Sequence, residues 1–326
     1  MKAIVYHQYG SADVLQLEEI EKPVPKDGEV LLKVRAAALN PLDWRMLKGV
    51  PFIFRKMMKV QTPTAEHPVG IGRDVAGVVE AVGKNVTQFK VGDEVFGTCA
   101  DAVAEYVCVK ESGVVHKPAA LSFEQAAAIP VAGLTALQGL RKGNVQAGQK
   151  VLVNGAAGGV GTFAVQIAKS MGAQVTGVCS GGNVEMVTSI GAEKVIDYTH
   201  QDFAKDPEQY DVIFECVGNK SFAECRAVLT ENGKFFMIGA PHDISLLDIL
   251  TTLIKAKAMS AFSKQKAPSF IAKSNQADLT QIGEMIVTGK IAPIIDRRYK
   301  LAETPEAIRY LEAGHARGKV LILVAD

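Results

Sequence analysis

Residues 151–161 read Val-Leu-Val-Asn-Gly-Ala-Ala-Gly-Gly-Val-Gly, an apolar β-rich run that stops in a glycine turn and opens directly into the helical pattern GVGTFAVQIAKSMG. A further β-rich run, AQVTGVC, follows. Strand, glycine turn, helix and strand make a βαβ unit, whose two strands must be parallel. The core AAGGVG has the form AxGxxG, with Ala156 where the dinucleotide fingerprint has its first glycine. Gly158 lets the backbone approach a pyrophosphate at the helix N-terminus, and Gly161 lets the helix pack closely on the sheet. Ala157, Gly158, Gly159 and Val160 are therefore the expected phosphate cradle. The bland alternative is a tight turn that binds nothing; the surrounding βαβ context favours the dinucleotide.

The same alternation continues. VEMVTSIG reads as a helix, KVIDY, YDVIFECVG and GKFFMIG as strands, and SFAECRAVLTENG as a helix between the last two. Such alternation implies a doubly wound parallel sheet. The first ~120 residues have a different texture, with short strand-like runs such as EVLLKVRAAAL and RDVAGVVEAVG between Gly- and Pro-containing turns. Two helical segments follow, LSFEQAAAI with a Ser122/Gln125 capping pattern and VAGLTALQGL. Near the C-terminus, DLTQIGEMIVTGKI and TPEAIRYLEAGH read as helices, GKVLILV as a closing strand, and 263–275 as a polar loop. The expected fold class is α/β, with a small β-rich domain (1–120 with 275–326) and a doubly wound domain (121–274).

Composition narrows the function classes. Thirty-six Lys+Arg against thirty-five Asp+Glu leave a formal net charge of +1 in 326 residues, which argues against a nucleic-acid partner. No uninterrupted apolar run is long enough for an integral membrane segment, and the N-terminus turns polar too soon for a signal peptide. The five cysteines form no CxxC pair, as expected of reduced thiols in the cytoplasm.

The loop after AQVTGVC should meet the adenosine ribose. An NAD-selective site usually carries Asp or Glu there, but this one reads Ser180-Gly181-Gly182-Asn183. Ser180 and Asn183 can hydrogen-bond a 2′-phosphate, although no Arg or Lys accompanies them. Tyr198, after the next strand, either packs on the adenine ribose or is an ordinary half-buried tyrosine. Cys216-Val217 and Ile238-Gly239-Ala240 end two further strands, where ligands gather in doubly wound sheets. Cys216 reads as a small buried residue in preference to a nucleophile, since no histidine is close in sequence.

In order along the chain, Leu39-Asn40-Pro41-Leu42-Asp43, GRDVAGVVEAVG, VGDEVFG, AAAIPVAGLTAL, NGAAGGVG and the ending IDRRYKLAETPEAIRYLEAGHARGKVLILV resemble the medium-chain dehydrogenase/reductase superfamily. Within it they are similar to the zinc-independent quinone oxidoreductase branch and its enone- and alkenal-reducing members. The resemblance spans essentially the whole chain. It implies a GroES-like catalytic domain built from both chain ends, a Rossmann domain between them, NADPH as cofactor and a homodimer. Carried over residue by residue, it implies Asn40 as the polar group near the nicotinamide or substrate, with Pro41 beside it. It also implies Thr135 as a hydroxyl contact to the cofactor, Phe262 closing over the cofactor, and Lys319 as a C-terminal cofactor contact. Asn40 is otherwise a turn residue before proline, and Asp43 either orients a catalytic neighbour or caps the turn, the cap being favoured. Trp44, Phe52 and Phe54 suit an apolar substrate-pocket wall, or equally an amphipathic helix packed on the barrel.

Zinc-dependent relatives carry a Cys near Leu39-Asn40 and a His-Glu pair in the stretch that here reads Gly70-Ile71-Gly72-Arg73-Asp74. His67 and Asp74 lie nearby, but no Cys does, so no metal is expected. Without zinc, quinones and α,β-unsaturated carbonyls are more plausible hydride acceptors than simple ketones, because their negative charge delocalises into an enolate that hydrogen-bond donors can stabilise. The expected activity is a zinc-free, NADPH-dependent reduction of quinones or enones. The rivals are an alcohol dehydrogenase acting on a simple alcohol and a cofactor-binding, redox-responsive protein with little catalysis.

Overall fold

The computed structural model describes residues 1–49, 61–240 and 246–324. In chain order, β1 (Lys2–Tyr6), β2 (Gln16–Glu19), β3 (Glu29–Leu39), helix α1 (Pro41–Leu47), β4 (Val69–Gly70), β5 (Asp74–Val82), β6 (Glu94–Thr98), β7 (Tyr106–Lys110) and β8 (Val114–His116) come first. Helices α2 (Phe123–Ala127) and α3 (Pro130–Gly143) lead into β9 (Lys150–Asn154), α4 (Gly159–Ser170), β10 (Gln174–Cys179), α5 (Val184–Ser189), β11 (Lys194–Asp197), β12 (Tyr210–Glu215), α6 (Phe222–Cys225), β13 (Leu229–Met237) and α7 (Leu246–Ala261). The chain closes with α8 (Gln276–Val287), β14 (Ile295–Lys300), α9 (Thr304–Glu312) and β15 (Lys319–Leu323).

Two compact units result. One comprises Met1–Leu134, Ser274–Val287 and Pro293–Asp326; the other comprises Thr135–Lys273 and Thr288–Ala292. The first holds a seven-stranded sheet, order β14-β15-β3-β5-β6-β8 with β7 also on β3, and a three-stranded sheet, β2-β1-β4. Strand β3 is its spine. Val30, Leu32 and Val34 are fully buried, in a core that also takes Val75, Val95 and Val320. Small residues let the spine lie close to its neighbour: a Cβ on Gly77 would sit 2.3 Å from the Lys33 carbonyl oxygen. Helix α2 starts in the expected capping box, with Gln125 N–H donating to Ser122 Oγ at 3.1 Å and Ser122 N–H to Gln125 Oε1 at 3.0 Å.

The second unit holds a five-stranded parallel sheet, order β11-β10-β9-β12-β13. Both the α/β class and the parallel sheet agree with the sequence reading. One element departs from it. SFAECRAVLTENG was expected to be helical, yet the helix stops at Cys225 and Leu229 already pairs with Tyr210 in β13. Val228 and Leu229 are buried with Tyr210 and Phe235, so core packing at the sheet overrides the helical spacing.

Candidate functional site

In the second unit, the order of strands reverses direction at β9, where β10 and β12 flank it on opposite sides. Ligands in doubly wound sheets sit beyond the carboxyl ends of the strands at such a point. The glycine turn lies there. Gly155 takes the positive φ of 79°, one residue before the position expected from the fingerprint, while Ala156 is buried under it. Gly155 and Ala156 N–H both donate to the Val178 carbonyl, which fastens the turn to β10. A Cβ on Gly161 would lie 2.0 Å from the Gly155 oxygen, so helix and turn pack too tightly for any side chain. Gly158 is different: its Cβ would find only the Gly155 oxygen at 3.4 Å, and the space beyond is open. The first intrahelical bond runs from Thr162 N–H to Gly158 O. The N–H groups of Gly159, Val160 and Gly161 therefore open the helix without intrahelical partners, as a phosphate requires.

A buried carboxylate braces this region. Glu215, fully buried at the end of β12, accepts the Asn154 side-chain amide at 2.8 Å on each oxygen. Its Oε1 also accepts Val217 N–H at 2.9 Å and Gly218 N–H at 2.8 Å. Its backbone oxygen takes Ile238 N–H at 2.9 Å and Gly239 N–H at 3.0 Å. One residue thus joins three turns: the glycine turn through Asn154, the 216–218 turn, and the 238–240 turn. Cys216, Val217, Ile238, Gly239 and Ala240 stand out in the sequence as strand-end residues and Glu215 does not, although a lone acid ending the apolar run YDVIF is a visible signal. Burial pushes the Cys216 thiol far up, which keeps it protonated and unsuited to be a nucleophile.

Ser180 and Asn183 are brought together, Asn183 Nδ2 donating to Ser180 Oγ at 3.0 Å. Asn183 Oδ1 is buried without a partner. Tyr198 N–H donates to Cys179 O, so Tyr198 stands at the neighbouring strand end with its side chain 56% exposed. It lines a recess of about 220 Å³ with Asn154, Asn219, Lys220 and Asp202. Thr135 is half-buried in α3. Phe262, expected to close over the cofactor, is 95% exposed just past α7 and packs on nothing within its unit.

In the first unit, strand register assembles a polar cluster. Val320 of β15 lies opposite Leu39, and Asp74 of β5 lies opposite Ala38. Lys319, Asn40 and Asp74 consequently meet at one end of β3. Lys319 Nζ donates to Asn40 Oδ1 at 2.6 Å and to Asp74 Oδ2 at 2.9 Å. Asn40 Nδ2 donates to the same Asp74 oxygen at 2.9 Å, and Asp74 Oδ1 accepts Val131 N–H at 2.9 Å. The ion pair is out of water, with side-chain exposures of 2% for Lys319 and 0% for Asp74. Two of the ammonium's three donors are thus engaged inside its own unit, where they fix which way the Asn40 amide faces.

Asn40 precedes α1, with Pro41 at the first helical position, where a missing N–H costs nothing. Asp43 accepts the Asn40 backbone N–H at 2.7 Å, which is the favoured capping role. The Asn40 side chain makes no cap bond, which leaves it to Lys319 and Asp74. Burial pushes the Asp43 carboxyl up to about 7, with Asp74 adding to the rise and Lys319 and Arg73 opposing it. Trp44 is buried in the core of this unit. Phe52 and Phe54 lie outside the described residues.

A divalent cation does not fit the cluster, because an ammonium already holds Asn40 Oδ1 and Asp74 Oδ2. Among the described residues, no group of three His, Cys, Asp or Glu side chains is placed to bind a metal.

Two family models match the chain: an alcohol dehydrogenase GroES-like domain over residues 26–119 and a zinc-binding dehydrogenase model over residues 190–322. A 2-methylene-furan-3-one reductase of Solanum lycopersicum is 35% identical over 99% of this chain and 79% of its own length. The chloroplastic NADPH-dependent alkenal/one oxidoreductase of Arabidopsis thaliana is 35% identical with the same coverage. Among solved structures, the quinone oxidoreductase from Coxiella burnetii superposes with a TM-score of 0.87 at 32% identity, covering 100% of this chain and 99% of that one.

Proposed function

The chain belongs to the medium-chain dehydrogenase/reductase superfamily, and on that premise we propose that it is an NADPH-dependent oxidoreductase of quinones and α,β-unsaturated carbonyls that works without a catalytic zinc. The observation that carries the reading is the Lys319–Asn40–Asp74 arrangement. It turns the corner where zinc-dependent relatives hold their metal into a closed hydrogen-bonded unit built round a buried ammonium.

The glycine turn is suited to the pyrophosphate of the dinucleotide, with Ala157, Gly158, Gly159 and Val160 as the cradle. Ser180, Asn183 and Tyr198 serve the adenosine ribose and its phosphate. Cys216, Val217, Ile238, Gly239, Ala240 and Thr135 serve the nicotinamide half. NADPH, when bound, supplies the hydride. The protein's own contribution is to hold the acceptor and to stabilise charge on its oxygen. Asn40 is the polar contact for acceptor or nicotinamide, its orientation set by Lys319 and Asp74. Asp43 acts through Asn40 by fixing its backbone.

Similarity to reductases of a furanone, of alkenals and of quinones supports soft acceptors over simple alcohols, and it supports catalysis over mere cofactor binding. The reading includes a homodimer and a cytoplasmic location. No described helix is long and apolar enough to cross a membrane.

The test is oxidation of NADPH and of NADH by chelator-treated protein offered 1,4-benzoquinone, 9,10-phenanthrenequinone, 2-hexenal and 3-nonen-2-one. The expected result is turnover that prefers NADPH and survives chelation. Activity that is lost with the metal and restored by zinc would overturn the reading.

A further inference from the structure

Arg73 directly precedes Asp74 and is half-buried, yet among the described residues its guanidinium makes no hydrogen bond and no ion pair. Its backbone is firmly held. Arg73 O accepts Cys99 N–H at 2.9 Å, and Gly72 O accepts Ala102 N–H at 3.2 Å. Gly72 sits at φ +93°, where a Cβ would lie 2.7 Å from Val103. The side chain therefore leaves from a fixed point, not from a floppy loop.

The acids around Arg73 are turned elsewhere. Asp74 is taken by Lys319, Asn40 and Val131 N–H. Asp43 accepts Asn40 N–H, and Asp101 accepts Gly70 N–H. The charge of Arg73 is felt at Tyr6, Asp43, Cys99 and Asp101, which face it from β1, α1 and the segment after β6, but none of them pairs with it. A partly desolvated guanidinium costs free energy unless an anion or a carbonyl oxygen meets it, and its planar set of donors is shaped for oxygen ligands. Among the described residues no group pairs with it, which leaves its donors for a ligand.

We propose that Arg73 is a catalytic residue that donates hydrogen bonds to the acceptor's carbonyl oxygen as that oxygen becomes an enolate. The inference rests on the proposed function. Hydride, a proton with two electrons, forms a C–H bond at the β-carbon. The alkene π pair moves to form the Cα=C bond, and the carbonyl π pair moves onto oxygen as the enolate beside Arg73. Solvent water then delivers a proton to the α-carbon, the oxygen charge returns to a C=O bond, and the saturated ketone leaves. The reductant is the bound dinucleotide, oxidised by two electrons. A guanidinium is favoured over an ammonium here because it stays charged at every working pH and presents two parallel donors.

The experiment compares wild type, Arg73→Lys and Arg73→Gln with 3-nonen-2-one, and titrates 4-nitrophenol into each protein with NADP⁺ present. Expected in Arg73→Gln are a fall in kcat/KM of about 100-fold or more and unchanged NADPH affinity. Arg73→Lys should keep more activity than Arg73→Gln. Wild type should bind 4-nitrophenol as the yellow phenolate below its solution pKa, and Arg73→Gln should lose that shift. Turnover by folded Arg73→Gln within threefold of wild type would overturn the proposal, as would a phenolate shift that survives the substitution. A wild type that reduces no acceptor overturns the proposed function and the catalytic role with it, while the phenolate titration still decides whether Arg73 binds an oxyanion.

Discussion

The ammonium of Lys319 lies 2.6 Å from Oδ1 of Asn40, across 279 positions of chain. An amide oxygen must face the cation and an amide nitrogen must face the carboxylate, so Lys319 and Asp74 together permit Asn40 a single orientation. The catalytic candidate is thus defined by its two neighbours as much as by its own identity.

Lys319→Gln should leave Asp74 buried and uncompensated, at a cost of ~3–5 kcal/mol in unfolding free energy. The double variant Lys319→Gln/Asp74→Asn should recover much of that loss. NADPH affinity should stay within a few-fold of wild type in both. Chemical denaturation and fluorescence titration of NADPH check this, and a tenfold loss of NADPH affinity in folded Lys319→Gln would return Lys319 to the cofactor.

Asp43 predicts a pH dependence of stability. Its carboxyl is raised by burial to about 7 in the folded chain, against an ordinary value of 3.8. Between those limits the folded state keeps a proton that the unfolded chain has released, so stability falls as pH rises through the window and levels off above it. Asp43→Asn can still accept the Asn40 N–H but cannot ionise. Relative to this variant, wild type should lose up to ~4 kcal/mol between pH 4 and 8. Urea midpoints for the two proteins across that range give the difference, from which titrations common to both cancel. Parallel profiles would contradict the assignment.

Two glycines of one turn should behave differently. Gly161→Ala forces a Cβ against the Gly155 carbonyl and should cost ~2–3 kcal/mol of stability along with NADPH binding. Gly158→Ala meets only an ordinary contact and should change stability by less than about 1 kcal/mol. It should still weaken NADPH at least tenfold, because the methyl group occupies the approach of the pyrophosphate. Thermal unfolding paired with NADPH titration separates the two effects.

Glu215→Gln keeps one oxygen for the Val217 and Gly218 N–H groups but turns an amide N–H₂ toward the Asn154 N–H₂. The expected cost is ~2 kcal/mol for the unsatisfied donors, with weaker NADPH binding as the turns loosen. Stability and NADPH affinity both within error of wild type would remove Glu215 from this role.

How much of this was legible in the sequence depended on how local the signal was. The glycine turn, the Ser122/Gln125 cap and the parallel strands announce themselves within a dozen residues each. The tail of the 221–233 segment did not, because Leu229 is held in strand form beside Tyr210 and packed with Phe235, partners that no local pattern reveals. Lys319 was expected at the cofactor from the resemblance alone, and only strand register reveals that it lies beside Asn40 and Asp74. Arg73 and Glu215 drew no notice for the same reason: their meaning lies in what they touch, or fail to touch, across the fold.

The central claim is hydride delivery to the β-carbon of a conjugated carbonyl, and the most direct measurement is the position of the label when NADPH deuterated at C4 reduces 3-nonen-2-one. The account predicts nonan-2-one carrying one deuterium at the β-carbon, formed equally well after chelation. Deuterium on the carbonyl carbon, giving an allylic alcohol, would contradict it.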